Sequence, residues 1–201
     1  MVRISCDGVT VGPLYIPAFR LEVGELVCLH MPCLSDSKEE RLVVQLLTGI
    51  LPHPNIGRYG QVRFADPPVF RAGLLELFRP ARVGNWLQRK AGISTSEAQA
   101  IASKLGLDAH DQICRLSGGP KALLGLEAAW AGGADAIIFS TAGYEPRALY
   151  EAVLSHIDQC PAIHLSYAYW TQGRRERLCH PRARCLEVSQ VQEPIAATKS
   201  A

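Results

Sequence analysis

The stretch CRLSGGPKALLGLEAAW, residues 114–130, decides the fold of this chain. It places Leu-Ser-Gly-Gly before a run of Ala and Leu residues, and serine is one of the residues that most often begin a helix. The apolar residues that follow predict a helix from about Gly119 to Ala131. The next stretch, ADAIIFS at 134–140, is almost continuously apolar, which is typical of a strand covered on both faces. A loop, a helix and a buried strand in this order indicate an α/β fold.

Strands and helices alternate along the rest of the chain. Alternation of apolar and polar residues predicts short antiparallel strands in the N-terminal part, and apolar residues at helical spacing predict helices further on. The predicted strands lie at 2–23, 24–31, 60–68, 161–170 and 184–191, and the predicted helices lie at 37–52, 94–107 and 145–157, with a loop and short helix at 69–90. These elements form one domain at 1–190, followed by an unstructured tail at 191–201.

Composition excludes several classes of protein. The 201 residues are 48% hydrophobic, which is enough for one sizeable core. Lys and Arg number 21 against 19 Asp and Glu, so the net charge of +2 gives no bulk attraction to nucleic acid or to an anionic membrane. The sequence has no apolar run long enough to span a bilayer, and its start lacks a secretory signal. We therefore expect a cytoplasmic protein without direct membrane insertion, which can sit peripherally on the inner face of the membrane.

The seven cysteines are odd in number and scattered, which favours reduced thiols over a disulfide framework. Two groups are candidates for zinc: Cys28 with Cys33, or Cys179 and Cys185 with His180. Neither group has the CxxC spacing that most structural zinc sites share. We therefore expect no metal ion and no other cofactor.

The stretch EAQAIASKLGLDAHDQICRLSGG, residues 97–119, is similar to the helix, turn, linker and signature motif of ABC transporter nucleotide-binding domains. The element order resembles the same family over residues 2–190. This resemblance implies an ABC ATPase-like core, a mixed sheet with flanking helices, together with an N-terminal antiparallel β part and a small helical subdomain at about 70–118. In that family the signature of one subunit faces the ATP held by another. The resemblance therefore implies a dimer in which a partner's nucleotide contacts Ser117, Gly118 and Gly119.

The phosphate-binding loop of that family is missing. VGELVCLHMP at 23–32 resembles the strand that delivers the loop, but the following residues do not fit the family pattern GxxGxGK[S/T]. They contain no glycine, which a nest of amides around phosphate needs, and Lys38 is flanked by Asp36, Glu39 and Glu40. The degenerate loop positions are Pro32, Ser35, Ser37 and Lys38.

The other catalytic positions are also replaced. In an ungapped alignment the acidic pair of the family falls on Ser140 and Thr141. A gapped alignment places Glu145 in the loop that contacts the partner subunit, but it supplies no pair of carboxylates at the end of the strand. The switch histidine falls on Tyr167, while His164 lies three positions earlier inside a predicted strand, where we expect a core histidine. The residue nearest to the magnesium-sensing glutamine is Glu76, and the Gln and Arg that normally follow the signature are replaced by the residues from Pro120 to Leu123.

These losses predict a pseudo-ATPase, a subunit that serves assembly or coupling in a larger, membrane-associated complex. Its expected partners are proteins: a second copy, an intact ABC ATPase or a membrane subunit. FRAGLLELFRPARVGNWL at 70–87 is the expected contact surface, because Trp and Arg are enriched at interfaces. We expect the apolar side chains of Val83 and Leu87 to be exposed there, beside the partner-binding candidates Phe78, Arg79, Arg82 and Trp86. An ordinary subdomain core with solvated arginines is the alternative.

Three other functions remain open on the sequence. The chain could donate its signature to an asymmetric dimer whose partner hydrolyses ATP, or the signature could survive only as a helix cap and turn. A thiol enzyme built on Cys33, next to Pro32, is a more distant alternative. So is nucleic-acid binding through the basic segment from Arg174 to Arg184, which lacks any known binding motif.

Overall fold

The protein is described by a computed structural model that covers residues 1–32, 37–68, 80–141, 146–171, 174–177 and 179–191. Between residues 168 and 178 only the backbone is described. Its strands are β1 Val2–Cys6, β2 Val9–Val11, β3 Leu14–Ile16, β4 Phe19–Glu22, β5 Leu26–Met31, β6 Ile56–Arg58, β7 Val62–Phe64, β8 Ala136–Ser140, β9 Ala162–Thr171, β10 Arg174–Arg177, β11 Arg184–Glu187 and β12 Ser189–Gln190. Its helices are α1 Lys38–Thr48, α2 Val83–Ala91, α3 Thr95–Lys104, α4 Gly118–Ala131 and α5 Pro146–His156, with a 3-10 turn at Ile113–Arg115.

A parallel sheet forms the centre of the molecule. Its strands follow the order β11-β5-β9-β8-β7, and β10 pairs antiparallel with the last residues of β9. Two further sheets, β4-β1-β6 and β12-β3-β2, are antiparallel and come mostly from the first part of the chain. The predicted mixed sheet with flanking helices and an antiparallel N-terminal part is confirmed. Strands β6 and β10 were not predicted.

Side chains that alternate along β5 fill two different cores. Val27 and Leu29 belong to a cluster with α1 and the N-terminal strands, where Val43 and Leu46 are fully buried. Leu26 points to the opposite face, which α4 and α5 cover. Burial on both faces explains why the sequence of β5 has no alternation of apolar and polar residues.

Helix α4 joins the sheet to the helical part of the chain. Leu126 packs in the cluster under the sheet, whereas Leu124 packs with α2 and α3. An ion pair of 2.7 Å between Lys104 and the largely buried carboxylate of Glu127 connects α3 to the same helix. Because α4 is buried on two sides, the residues that follow the signature are almost all apolar.

Gly125 of α4 packs closely against the segment after β7. A Cβ atom there would lie 3.0 Å from the carbonyl oxygen of Ala65 and 3.1 Å from backbone atoms of Asp66. We expect Gly125→Val to lower the free energy of unfolding by about 1–3 kcal/mol, because the overlap is with backbone. Gly119→Val is the matched control, since nothing lies within 4 Å of a Cβ in that position of the same helix. Urea unfolding of both variants measures the difference, and equal losses would contradict this account of the packing.

Candidate functional site

The candidate site lies at the edge where the parallel strands end. Strands β5, β9 and β8 run in the same direction, and their carboxyl ends meet at this edge. Open α/β sheets bind their ligands at such edges. Three groups of predicted site residues follow or end these strands: the degenerate loop after β5, the positions at the end of β8 and the switch position on β9. The signature residues are a fourth group and lie at the start of α4.

A serine side chain caps one backbone amide at the start of α1. Ser37 is the N-cap, and its hydroxyl accepts a hydrogen bond of 3.1 Å from the backbone N–H of Glu40. Lys38 is exposed, Glu39 is partly exposed and Glu40 is buried in the first turn. Carboxylates in the first turn of a helix interact favourably with the positive end of the helix dipole, as a bound anion would. Pro32 is partly buried at the end of β5, whereas Ser35 lies outside the described residues.

The two described positions at the end of β8, Ser140 and Thr141, carry no carboxylate. Ser140 is the last residue of the strand and is partly buried. Thr141 is only 1% exposed, and its hydroxyl is hydrogen-bonded to Nε2 of His164 at 3.0 Å. Neither side chain can hold Mg²⁺ as a charged ligand or remove a proton from water. Glu145, the residue of the gapped alignment, lies outside the described residues.

His164 is a satisfied core histidine, as the sequence predicts. It is fully buried, and Tyr150 of α5 bonds its Nδ1 at 2.8 Å while Thr141 bonds Nε2. Phe139 stacks on the ring with a centroid distance of 5.0 Å. Burial, with a smaller contribution from nearby His30, lowers the pKa of His164 to about 3. The imidazole is therefore neutral near pH 7, and each hydroxyl can supply the donor or acceptor that the facing nitrogen needs.

The low pKa of His164 predicts loss of stability in acid. Between its folded value of about 3 and its unfolded value near 6.5, only the unfolded chain binds the proton, so stability falls as the pH falls through this window. From pH 7 to pH 5 we expect this group to cost about 2 kcal/mol. Urea unfolding at both pH values measures the loss in the native chain and in His164→Gln. Equal losses in the two proteins would contradict the assignment.

Tyr167, at the switch position, is buried in the core on the other face of the sheet from His164. It is 4% exposed and belongs to the cluster that includes Met31, its partner in β5, and Leu46 of α1. A phenol packed among apolar side chains does not take the place of a mobile, titrating imidazole.

The signature residues begin α4 at the surface. Ser117 is the N-cap residue and is exposed, but its side chain makes no capping hydrogen bond, unlike Ser37 of α1 and Ser94 of α3. Gly118 and Gly119 are the first two helical residues, and Gly119 has open space around it. Their amide groups belong to the unpaired donors that every helix start presents. The third helical residue, Pro120, has no amide hydrogen to add.

The expected partner surface is only partly exposed. Val83 and Leu87, predicted to be exposed, are fully buried in the cluster formed by α2, α3 and α4, so that prediction was wrong. Trp86 is half-buried against the same cluster. The reason is the helical spacing of Val83 and Leu87, which turns both residues inward. Arg82 is exposed, with a guanidinium nitrogen 3.3 Å from Nδ1 of His110. Phe78, Arg79 and Glu76 lie outside the described residues.

The basic segment and the thiol-enzyme candidate gain no support. Cys33 lies outside the described residues. At the end of the basic segment, Arg184 donates to the backbone carbonyl of Arg20 and lies 3.5 Å from a carboxylate oxygen of Glu25. That guanidinium therefore ties β11 to the N-terminal strands.

The cysteines come together differently from the sequence expectation. Sulfur atoms of Cys179 and Cys185 are in contact as a disulfide, whereas reduced thiols were predicted. Cys28 and His30 lie beside this pair, and His180 instead packs its ring against Tyr150. The sequence does contain a signal for this: Cys-x-His on a strand places both side chains on one face.

No protein-family model matches the sequence, and no curated protein is significantly similar to it. Solved structures are similar in fold. An ABC transporter assigned to the metal-chelate type, in an inward-facing conformation, has a TM-score of 0.62 at 14% identity, over 88% of this chain and 83% of that chain. A nucleotide-free ATP-binding cassette from an ABC transporter has a TM-score of 0.56 at 12% identity, over 88% and 91%. The chain has an ABC ATPase-like fold.

A third solved structure supports the same fold. It is cbiO1 from Clostridium perfringens, part of the ABC transporter complex cbiONQ, with a TM-score of 0.55 at 13% identity over 87% of each chain. The structural similarity establishes the ABC ATPase-like fold. Because the sequence identities are this low, the activity has to be argued from the site. Across the described ranges, no helix combines the length and apolarity needed to cross a bilayer.

Proposed function

We propose that this chain is a pseudo-ATPase: an ABC-type subunit that does not hydrolyse ATP and serves as an assembly or coupling component of a larger complex. The observation that carries the proposal is Thr141. This residue stands where the resemblance requires a catalytic carboxylate, and its hydroxyl is buried and bonded to His164. Phosphoryl transfer depends on positioned charges around the phosphate and Mg²⁺, so loss of the carboxylate removes a main catalytic element.

The start of α1 supports the same proposal. Its N-terminal amide at Glu40 already donates to Ser37, and two glutamates occupy its first turn. A triphosphate brought to this helix would meet like charge. The sequence before the helix also lacks the glycines that let backbone amides surround phosphate.

The proposed partners are protein subunits. The cbiO1 protein, which shares the fold, is part of a transporter complex, and this supports an assembly role here. We infer that the exposed side of α2, together with its N-cap residue Arg82, contributes to contact with another subunit, such as a membrane subunit or an intact ABC ATPase. Arginine at an interface can form charge-assisted hydrogen bonds to a partner's carboxylates or carbonyls.

Arg82→Glu tests this surface. We expect at least a tenfold loss of co-purification of native partners, equivalent to about 1.4 kcal/mol, because the reversed charge repels the groups that the guanidinium binds. Arg20→Glu is the matched control, since Arg20 is also exposed but lies on β4, away from the helical part. Trp86 is a poorer probe because its truncation also disturbs the cluster under α2. Equal recovery of partners with Arg82→Glu and with the control would contradict the proposed surface.

A second candidate function is favoured by Ser117. In this version the chain completes the active site of a partner that binds and hydrolyses ATP, by presenting its signature to the γ-phosphate. Its support is that the Ser117 hydroxyl is exposed and makes no capping bond, at a helix start with open space around Gly119. Helix starts of this kind favour phosphate through their amides and dipole.

A further inference from the structure

Four side chains that can ligate a metal ion meet beside the last parallel strand. They are Cys28, His30, Cys179 and Cys185, and their three sulfur atoms and one ring nitrogen all lie within 4.8 Å of one another. Within the cluster, Sγ of Cys28 and Nδ1 of His30 are 4.0 Å apart. Cys28 and His30 are buried, Cys179 is partly buried and Cys185 is exposed. We refer to these four residues as the cysteine–histidine cluster.

The fold brings the cluster together from distant parts of the sequence. Cys28 and His30 are two residues apart on β5, so both side chains leave the same face of the sheet. Strand β11 pairs parallel with β5, in a register that sets Cys185 opposite Cys28. Cys179 belongs to the segment that leads into β11. Assembly of the four residues therefore requires the docked position of β11.

We propose that the cysteine–histidine cluster is a closed, tetrahedral site for one Zn²⁺ ion. Three thiolates and one imidazole form a common structural zinc site. Zn–S bonds of about 2.3 Å and Zn–N bonds of about 2.0 Å place tetrahedral ligand atoms about 3.5–3.8 Å apart. The widest separation in the cluster, 4.8 Å, exceeds that spacing by about 1 Å, whereas the sulfur atoms of Cys179 and Cys185 are closer together than it. Rotations of the side chains are needed to bring all four ligand atoms to the tetrahedral spacing.

Backbone separation favours an ion over a disulfide between Cys179 and Cys185. Their Cα atoms are 7.3 Å apart, whereas disulfides usually join Cα atoms about 4.4–6.8 Å apart. Two thiolates that share a zinc ion are separated by the ion, so they suit a wider backbone spacing. The zinc site uses all four side chains of the cysteine–histidine cluster.

Zinc at this place braces β11 against β5. Four protein ligands fill the coordination sphere, which leaves no open position for water or substrate and makes the site structural. Binding releases the thiol protons of the three cysteines, and the neutral imidazole of His30 donates one nitrogen lone pair. This role is independent of nucleotide binding and of the proposed pseudo-ATPase function.

Metal analysis of the full chain tests the site. The chain purified under reducing conditions is expected to contain one zinc ion per molecule by mass spectrometry. The metal-free chain titrated with Co²⁺ is expected to develop the visible absorption of tetrahedral cobalt bound to thiolate. If Co²⁺ produces only the weak spectrum of octahedral cobalt, the proposal is wrong, and this measurement needs no variant.

Variants distinguish the ligands from their neighbours. Loss of a residue that only orients a metal ligand costs about 10–100-fold in affinity. We therefore expect His30→Asn and Cys28→Ser each to weaken zinc binding by at least about tenfold in competition with a chromophoric chelator. Cys114→Ser, at an exposed free cysteine, and His180→Asn, next to Cys179, are the matched controls and should bind zinc normally. Weakening by His180→Asn without an effect of His30→Asn would overturn the assignment.

Counting thiols decides between zinc and the disulfide. The chain is purified without reductant, denatured in chelator and alkylated, and its mass is measured. The zinc site predicts seven alkylated cysteines, because zinc binding leaves all seven thiols of the chain unoxidised. A disulfide between Cys179 and Cys185 leaves five, and a count of five in the freshly purified protein would contradict the proposal.

Discussion

Ser117→Asp is expected to lower the ATP turnover of the reconstituted complex by about tenfold or more, equivalent to about 1.4 kcal/mol in the barrier. The complex contains this chain and a catalytically intact partner. If Ser117, Gly118 and Gly119 face the partner's γ-phosphate, the new carboxylate repels it in a cleft of low dielectric constant and prevents closure. The fold should be little affected, because aspartate is itself a good N-cap residue and Ser117 is exposed.

Ser96→Asp is the matched control for this experiment. Ser96 is an exposed serine in the first turn of α3, so the same change of charge is made at the start of a different helix. We expect the control to leave turnover unchanged. Unchanged turnover with Ser117→Asp, in a complex that still assembles, would mean that the signature serves only as a helix start, and the chain would act as a scaffold.

The second large effect concerns a restored phosphate loop. We graft the pattern GxxGxGK[S/T] between β5 and α1. The grafted chain is expected to hydrolyse ATP at a rate at least about 10²–10³-fold lower than that of an intact ABC ATPase. The physical reason is that Ser140 and Thr141 still hold the acidic positions, and Thr141 is committed to His164. Steady-state phosphate release measures the rate. Turnover by the grafted chain close to that of an intact enzyme would show that the loop alone had been lost.

A matched control separates binding from chemistry in the grafted chain. The graft with Lys replaced by Ala keeps the glycines and removes the positive charge that neutralises phosphate. We expect the graft to bind ATP more tightly than this control, while neither hydrolyses it at an appreciable rate. Such a result assigns the remaining deficit to the ends of β8 and β9.

Local signals were sufficient to predict most of the fold. The helical spacing of apolar residues located α1, α3 and α4, and the continuous apolar runs located β5 and β8. Ser94 illustrates why: its hydroxyl and the carboxylate of Glu97 form a reciprocal capping box three residues apart, which is visible in the sequence. Strands β6 and β10 are short, and their pairing with β1 and β9 depends on contacts across the chain.

The candidate site was less predictable because it depends on contacts between distant residues. The bond of Thr141 to His164, and of His164 to Tyr150, joins three elements and has no pattern in the sequence. The inward orientation of Val83 and Leu87 depends on where α4 lies, although their helical spacing allowed it. The cysteine–histidine cluster depends on the parallel register of β11 and β5, which spacing alone cannot fix.

Titration of the purified chain with a fluorescent ATP analogue and Mg²⁺, at physiological salt, tests the pseudo-ATPase proposal most directly. The account predicts no saturable binding up to an analogue concentration of about 1 mM. The free energy of binding is then less favourable than about −4 kcal/mol. This expectation follows from the capped start of α1, the two glutamates in its first turn and the absence of glycine from residues 30–42. Saturable binding of one ATP per chain with a Kd in the low micromolar range would contradict it.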